Sequence, residues 1–284
     1  MASPTDGFQG TIGRTLVEHD GADGEERMTQ MTTTKAGPNL GARVEGLDLR
    51  AMTPEEVREI LVPLLHEYHV LVIPGEVLEA DELERFARAW GDLLEHPASR
   101  VEETPYIQII FSEGEGDDRL GQWHSDMTWH ETPPIITMLQ AHVLPSEGGG
   151  TIFANQHLAY DTLPEELRSQ LDGAKAWNSG KAFGPNMPDT LQPAIRTHDE
   201  SGRKALYINP VFTTEIDGLD QTTSRELILR AVQHGTRPEF TYRHQWEIGD
   251  LVLWDNRSVM HYPIRDYSER RALLRAVVAG GIPV

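Results

Sequence analysis

Three side chains in this sequence have the types and the setting to hold a transition-metal ion. His124 and Asp126 stand two residues apart in Gln122-Trp123-His124-Ser125-Asp126-Met127-Thr128-Trp129. On a strand, residues at that spacing point to one face, so an imidazole and a carboxylate would converge. The spacing alone is a weak signal, because 12 histidines and 45 acidic residues produce about two His-x-acid triplets by chance. The second triplet is His198 with Glu200, in the polar run His198-Asp199-Glu200-Ser201-Gly202, which reads as a solvated turn. Asp126 differs in lying among aromatic and apolar residues, where a buried carboxylate is costly without compensation. His261 is the best third ligand. It follows the apolar run Leu251-Val252-Leu253 and Trp254-Asp255-Asn256-Arg257-Ser258-Val259-Met260, so its ring is expected in a cavity. Two histidines and one carboxylate are the facial donor set of mononuclear non-haem iron(II) sites, which leave positions for a 2-oxo acid and O2. A structural zinc site would want four protein ligands, often with sulfur. Without a metal, His124 and Asp126 read as a hydrogen-bonded core pair.

The C-terminal run Arg271-Ala272-Leu273-Leu274-Arg275-Ala276-Val277-Val278 supplies a second kind of chemistry. Both arginines fall on one face of a strand, about 13 Å apart at ~3.3 Å per residue. Charges on an otherwise apolar strand are costly unless each meets an anion, and a guanidinium grips a carboxylate or sulfonate bidentately. One arginine for a cosubstrate carboxylate and one for a substrate anion would account for both. A surface pairing of Arg271 near Glu269 at a sheet edge is the plainer alternative.

The elements that must carry these residues are mostly short strands. Thr53-Pro54-Glu55-Glu56 has Thr at the N-cap, Pro at N1 and Glu56 closing a capping box, and Pro63 is expected to kink or end the helix that follows. Residues 69–73 read as a buried strand and residues 80–90 as a second amphipathic helix ended by Gly91. Strands are expected at 106–111, 135–144, 151–154, 194–197, 205–209, 239–246, 250–254 and 271–279, with helices near 163–171 and 223–234. Many short strands with few helices predict a mainly β fold with flanking helices, a jelly roll around a central cavity.

Bulk properties narrow the partners. Twenty-five basic residues against 45 acidic ones leave a formal charge of −20, which repels nucleic acid and anionic membranes. The absence of cysteine excludes disulfides, zinc–thiolate sites, iron–sulfur clusters and thiol nucleophiles. No apolar run approaches the ~20 residues of a membrane span. Residues 1–27 are polar and Gly-rich with no leader-like apolar stretch, so a disordered extension, a single domain over 28–284 and a cytoplasmic location are expected. Met28 or Met31 are alternative start residues. A homo-oligomer stays open.

Taken together, Trp123-His124-Ser125-Asp126, Glu131-Thr132-Pro133-Pro134, Leu144-Pro145-Ser146-Glu147-Gly148-Gly149-Gly150-Thr151, Trp254-Asp255-Asn256-Arg257, and His261 followed by Arg271 resemble the taurine dioxygenase (TauD/TfdA) family. The match runs in order from about Gly41 to the C-terminus. The resemblance implies a double-stranded β-helix, with Fe(II) held by His124, Asp126 and His261 and with 2-oxoglutarate and O2 as cosubstrates. It implies that Arg271 pairs with the distal carboxylate of 2-oxoglutarate, that Thr151 hydrogen-bonds the same molecule, and that Arg275 receives the anion of the primary substrate. The implied reaction couples hydroxylation of a small anionic organic substrate to release of succinate and CO2. Asp126 at the carboxylate position implies hydroxylation rather than halogenation.

His96, Phe183 and Phe212 match pocket positions of the family's taurine enzyme, with core packing as the plainer role for each. Ser99 replaces a tyrosine there, Met127 replaces a smaller valine in the pocket, and 117–122 lack an asparagine. These departures point away from taurine and toward another sulfonate, a sulfate ester, an aryloxyalkanoate or a carboxylate. Two other readings share the same residues: a metal-binding β-barrel module without turnover, and a zinc hydrolase using the triad. A mere scaffold needs no cosubstrate clamp such as Arg271, and a hydrolase would work with Zn(II) in the absence of O2.

Overall fold

Val70–Ile73 and Leu251–Asp255 lie side by side, paired antiparallel and buried at every position. Their side chains alternate between two cores. Val70, Val72, Val252 and Trp254 point inward with Phe153, Val259 and Leu273. Leu71, Ile73, Leu251 and Leu253 point outward against Leu61, Leu65, Leu83 and Phe86 of the N-terminal helices. A strand covered on both sides is apolar along its length, which is why these runs show no period of two; Asp255, at the end of its strand, is buried only with His198 and Arg257 as partners.

The computed structural model describes residues 12–15, 30–95, 101, 104–114 and 121–284. The large sheet has eight strands, in the order Ile12–Thr15, Gln30–Lys35, Ala42–Glu45, Val70–Ile73, Leu251–Asp255, Ile136–Val143, Arg271–Val278 and Gln108–Ser112. Only the pairing of Ala42–Glu45 with Val70–Ile73 is parallel. Facing the inner core is a three-stranded sheet of Thr241–His244, Thr151–Asn155 and Val259–Pro263. Phe153 from this sheet meets Trp254 from the large one, ring centroids 5.4 Å apart. Two antiparallel layers closed over one core make the expected jelly roll. A further sheet of Thr213–Ile216, Lys175–Ser179 and Asp189–Pro193, with Glu165–Leu171 and Gln221–Gly235, encloses a third core.

Arg271–Val278 lies between Ile136–Val143 and Gln108–Ser112. Leu274, Ala276 and Val278 face the helices, and Leu273 faces the inner core. Arg271 and Arg275 share the face of Leu273, so the strand directs both guanidinium groups into the interior of the roll.

Most expected elements are present with shifted ends, and some departures are informative. The Thr53 capping box forms, with Thr53 Oγ1 accepting from the Glu56 amide and the Glu56 carboxylate accepting from the Thr53 amide. Pro63 does not end the helix. Val57–Leu61 widens into a π turn, in which the Val62 amide donates to the Val57 carbonyl. That places Pro63 in the first turn of a new α-helix, Val62–Tyr68, where a missing N–H costs nothing. Within the expected N-terminal extension, Ile12–Thr15 pairs with Gln30–Lys35, and the rest of 1–29 lies outside the described residues. Strands Lys175–Ser179, Asp189–Pro193, Thr213–Ile216 and Val259–Pro263 and the helix Gln156–Asp161 were not expected. Among the described residues no helix is long and apolar enough to cross a membrane.

His69 and His157 pack edge to face with centroids 5.1 Å apart, and His157 Nδ1–H donates to the Lys204 carbonyl at 2.7 Å. Burial pushes His69 down to about 3 and His157 down to about 4. The unfolded chain takes up these protons near pH 6.5, whereas the folded chain resists them. Their contribution is therefore complete above about pH 6.5 and is lost as the pH falls toward 4. Urea-denaturation midpoints should fall across that window, and His157→Gln should flatten the slope by up to about 1.4 kcal/mol per pH unit. An unchanged slope in the variant would remove His157 as the cause.

Candidate metal centre and its arginine pocket

His124 and His261 are tied together through their backbones. The His124 amide donates to the His261 carbonyl at 2.9 Å and the His261 amide returns a bond of 2.8 Å to His124. This single antiparallel bridge brings the ring centroids to 4.1 Å. His261 belongs to the strand Val259–Pro263, whereas His124 belongs to no strand. The chain turns immediately afterwards, with Met127 left-handed at φ 48° and the His130 amide closing on the Met127 carbonyl. Asp126 thus converges on His124 through a turn, and the strand geometry expected for residues 124–126 is corrected.

Oδ1 of Asp126 lies 3.8 Å from His124 Nε2 and 3.9 Å from His261 Nε2. Its other oxygen, Oδ2, accepts from Thr137 Oγ1 at 2.6 Å and from Arg275 Nη2 at 2.9 Å. Asn256 braces the same group. Its Oδ1 accepts from Trp254 Nε1 and from the Asp126 amide, while its Nδ2 donates to Thr137 Oγ1 at 2.8 Å. Burial alone would raise the carboxyl pKa, but the charge of Arg275, with the neighbouring imidazoles and the Thr137 hydroxyl, holds it well below the usual carboxylate range. Burial lowers His124, and it lowers His261 to about 3 with help from the neighbouring His124. The set is therefore two neutral imidazoles and one carboxylate. The 2.8 Å bond from His124 Nδ1–H to the Gln122 carbonyl assigns the tautomer and leaves the Nε2 lone pair free.

The three groups open onto a cleft of about 750 Å³, partly open to solvent, which Thr151, Arg271 and Arg275 also line. Arg271 is only 7% exposed. Its guanidinium lies 5.7 Å from the Trp246 ring and 5.9 Å from the Tyr267 ring, and its Nε has no acceptor. Burial lowers its pKa, with no carboxylate opposing the shift. A Cβ at Gly149, which is left-handed at φ 68°, would stand 3.3 Å from the Arg271 side chain, so the glycine run before Thr151 makes room for the arginine. Thr151 Oγ1 accepts from Trp246 Nε1 at 3.1 Å. Arg275 differs from Arg271: beside its ion pair with Asp126, Nη1 donates to Gln108 Oε1 at 3.1 Å.

The remaining expected residues fall further out. Phe212 is buried edge-on to His124 at 6.2 Å, and Phe183, 43% exposed, stacks on Phe212 at 5.8 Å. Neither lines the cleft, and nor does Met127. His96 and Ser99 lie outside the described residues. Thr137, Gln108, Trp246 and Tyr267 were not singled out from the sequence; a threonine and a glutamine on apolar strands were the only available signals.

Among the described residues, His66, His198 and Asp255 also bring ligand-type atoms within 4.8 Å of one another. His198 is buried, which corrects its reading as a solvated turn. Its Nδ1 accepts from the Glu200 and Ser201 amides and its Nε2–H donates to Asp255 Oδ2 at 2.8 Å. Arg257 Nη2 occupies the same carboxylate oxygen at 2.7 Å, and His66 pairs with Glu200. With both His198 nitrogens engaged and a guanidinium at the Asp255 carboxylate, this network is a structural lock.

The model of the taurine catabolism dioxygenase TauD, TfdA family matches residues 32–277. The chain belongs to that family. It is 37% identical over 273 residues to an alpha-ketoglutarate-dependent 2,4-dichlorophenoxyacetate dioxygenase of Cupriavidus pinatubonensis, covering 84% of this chain and 94% of that protein. It is 32% identical to an alpha-ketoglutarate-dependent sulfate ester dioxygenase of Pseudomonas putida, covering 86% and 88%. The crystal structure of AAD-2 in complex with Mn(II) and N-oxalylglycine superposes with a TM-score of 0.80 at 29% identity, covering 89% and 99%. This family member is an Fe(II)- and 2-oxoglutarate-dependent dioxygenase.

The donor set fits ferrous iron. Asp126→Ala and His261→Ala should abolish Mn(II) and Fe(II) binding, measured anaerobically by equilibrium dialysis, while circular dichroism shows a folded protein. Thr137→Val should weaken binding about 10- to 100-fold, as expected for a group that orients a ligand. Metal retention in Asp126→Ala would remove it from the site.

Proposed function

We propose that His124, Asp126 and His261 hold the iron, that Arg271 and Thr151 receive 2-oxoglutarate, and that the primary substrate is a small anion with an apolar, aryl-sized body. The observation that carries this reading is the buried guanidinium of Arg271 beside the triad, with Nε unsatisfied and, among the described residues, no ion-pair partner. A cation without an anion inside a protein is costly, and the distal carboxylate of a 2-oxo diacid is the partner it lacks.

Bound iron and 2-oxoglutarate would supply oxidation of a substrate C–H bond by O2, with succinate and CO2 released. The residues of the chain do the positioning. Arg271 fixes the cosubstrate by a two-pronged grip, and the Trp246 and Tyr267 rings keep water from that pair. Thr151, held by Trp246, is left with its hydroxyl proton to donate toward a bound carboxylate. Ile110, Phe111, Leu139, Ile264 and Tyr267 line the same cleft and suit an aryl or alkyl body. The named activities of the relatives, on a dichlorophenoxyacetate and on sulfate esters, favour aryloxyalkanoates and sulfate esters over taurine.

Succinate release should be stimulated by phenoxyacetates or alkyl sulfates over a no-substrate blank and should vanish anaerobically. A panel of aryloxyalkanoates, sulfate esters and sulfonates with no stimulation would sink the substrate reading. Arg271→Gln should raise the KM for 2-oxoglutarate ~30-fold or more, because breaking a buried charge pair costs ~2–5 kcal/mol. An unaltered KM would remove Arg271 from cosubstrate binding.

A further inference from the structure

The stretch that joins the strands Val259–Pro263 and Arg271–Val278 borders the cleft, and its residues Ile264, Arg265 and Tyr267 line it. It belongs to no helix or strand, so its shape depends on what ties it down. At its start the Ile264 amide donates to the Gly150 carbonyl at 2.8 Å. Near its end Glu269 accepts from the amide and hydroxyl of Ser146, and Arg270 pairs with Glu113. Between these ties Asp266 is the tether to the opposite wall. Its Oδ1 accepts from the Gly149 amide at 2.7 Å, and its Oδ2 stands 3.4 Å from Arg243. The approach is close: a Cβ at Gly148, left-handed at φ 78°, would meet both the Asp266 carbonyl oxygen and its Oδ1 at 2.5 Å. Gly149 gives its amide to Asp266 and, lacking a Cβ, admits Arg271, so the tether and the guanidinium meet at one residue.

The two sides of this latch are not equally rigid. The glycine run leads into Thr151–Asn155, a strand hydrogen-bonded to a neighbour on each side. Tyr267 has no ladder to hold it, yet its ring stands 5.9 Å from the Arg271 guanidinium. A ring free to swing away would admit water to that guanidinium and would have to be ordered again whenever an anion binds. Asp266 adjoins Tyr267 in the chain, and a carboxylate that accepts from a backbone amide is among the stronger tethers available. We propose that Asp266 is a positioning residue for the cosubstrate: its bond to Gly149 holds Tyr267 against Arg271 and thereby sets the affinity for 2-oxoglutarate. The assignment rests on the reading of Arg271 as the partner of the distal carboxylate. The Asp266 side chain is 44% exposed, so truncating it removes the tether without opening a cavity in a core.

Calorimetric binding of N-oxalylglycine to the Mn(II)-loaded protein tests the assignment without turnover. Asp266→Ala should weaken binding about 10-fold or more, whereas Asp266→Asn, which keeps an accepting oxygen, should stay within about 3-fold of the wild type. Tyr267→Ala should weaken binding as Asp266→Ala does. The double variant Asp266→Ala/Tyr267→Ala should fall within about 2-fold of Tyr267→Ala, because both changes remove one and the same contact. In metal-free protein the Gly149 amide should exchange with deuterium faster in Asp266→Ala than in the wild type, at an unchanged thermal midpoint. Wild-type affinity in Asp266→Ala, equal losses in Asp266→Ala and Asp266→Asn, additive losses in the double variant, or unaltered exchange at Gly149 would each overturn the assignment. Arg271→Gln separates this from the reading beneath it. Weak binding by Arg271→Gln beside wild-type binding by Asp266→Ala rejects the latch alone; wild-type binding by Arg271→Gln rejects both.

Discussion

A carboxylate kept ionised inside a protein is the constraint around which this site is built. Asp126 has little contact with water, and its charge persists because Arg275 stands 2.9 Å away and Thr137 donates a short hydrogen bond. Both act on Oδ2, so Oδ1 is left facing the two imidazoles. Remove the braces and the group becomes a buried charge without a partner, which proteins tolerate poorly. The braces need rigid supports of their own. Thr137 and Arg275 come from adjacent strands of the large sheet, and Asn256 from the turn after a third. The sheet order is thus a statement about one carboxylate.

The two arginines of the C-terminal strand differ in their surroundings. Among the described residues Arg271 is held between the Trp246 and Tyr267 rings with no ion-pair partner, which leaves its charge open to an anion that arrives. Arg275 is neutralised from within by Asp126. An overall negative protein can select an anion only by such local arrangement, since its long-range field works in the opposite direction.

How much of this was legible beforehand depended on whether a residue's role conflicted with its setting. Two arginines on an apolar strand are anomalous anywhere, so their inward direction could be read from the pattern. The meeting of His124 with Asp126 was foreseen for a faulty reason: a left-handed Met127 and a turn do what a strand was expected to do. His198 was misread because its polar neighbours advertise a surface turn, while the turn tucks the ring beneath itself. Thr137 gave no warning, since threonine is an ordinary strand residue whose hydroxyl matters only once a distant carboxylate is known. Pro63 misled because a proline rule written for α-helices does not foresee a π turn that shifts the register by one residue.

The reciprocal backbone bridge between His124 and His261 has a temporal consequence. One imidazole lies in the middle of the chain and the other close to its end, and neither has its orientation until the strands around both have paired. Arg275, which pairs with Asp126, emerges later still. A growing polypeptide therefore cannot assemble a redox-active centre while most of its apolar surface is still uncovered, and the capture of iron is deferred to the closing of the roll.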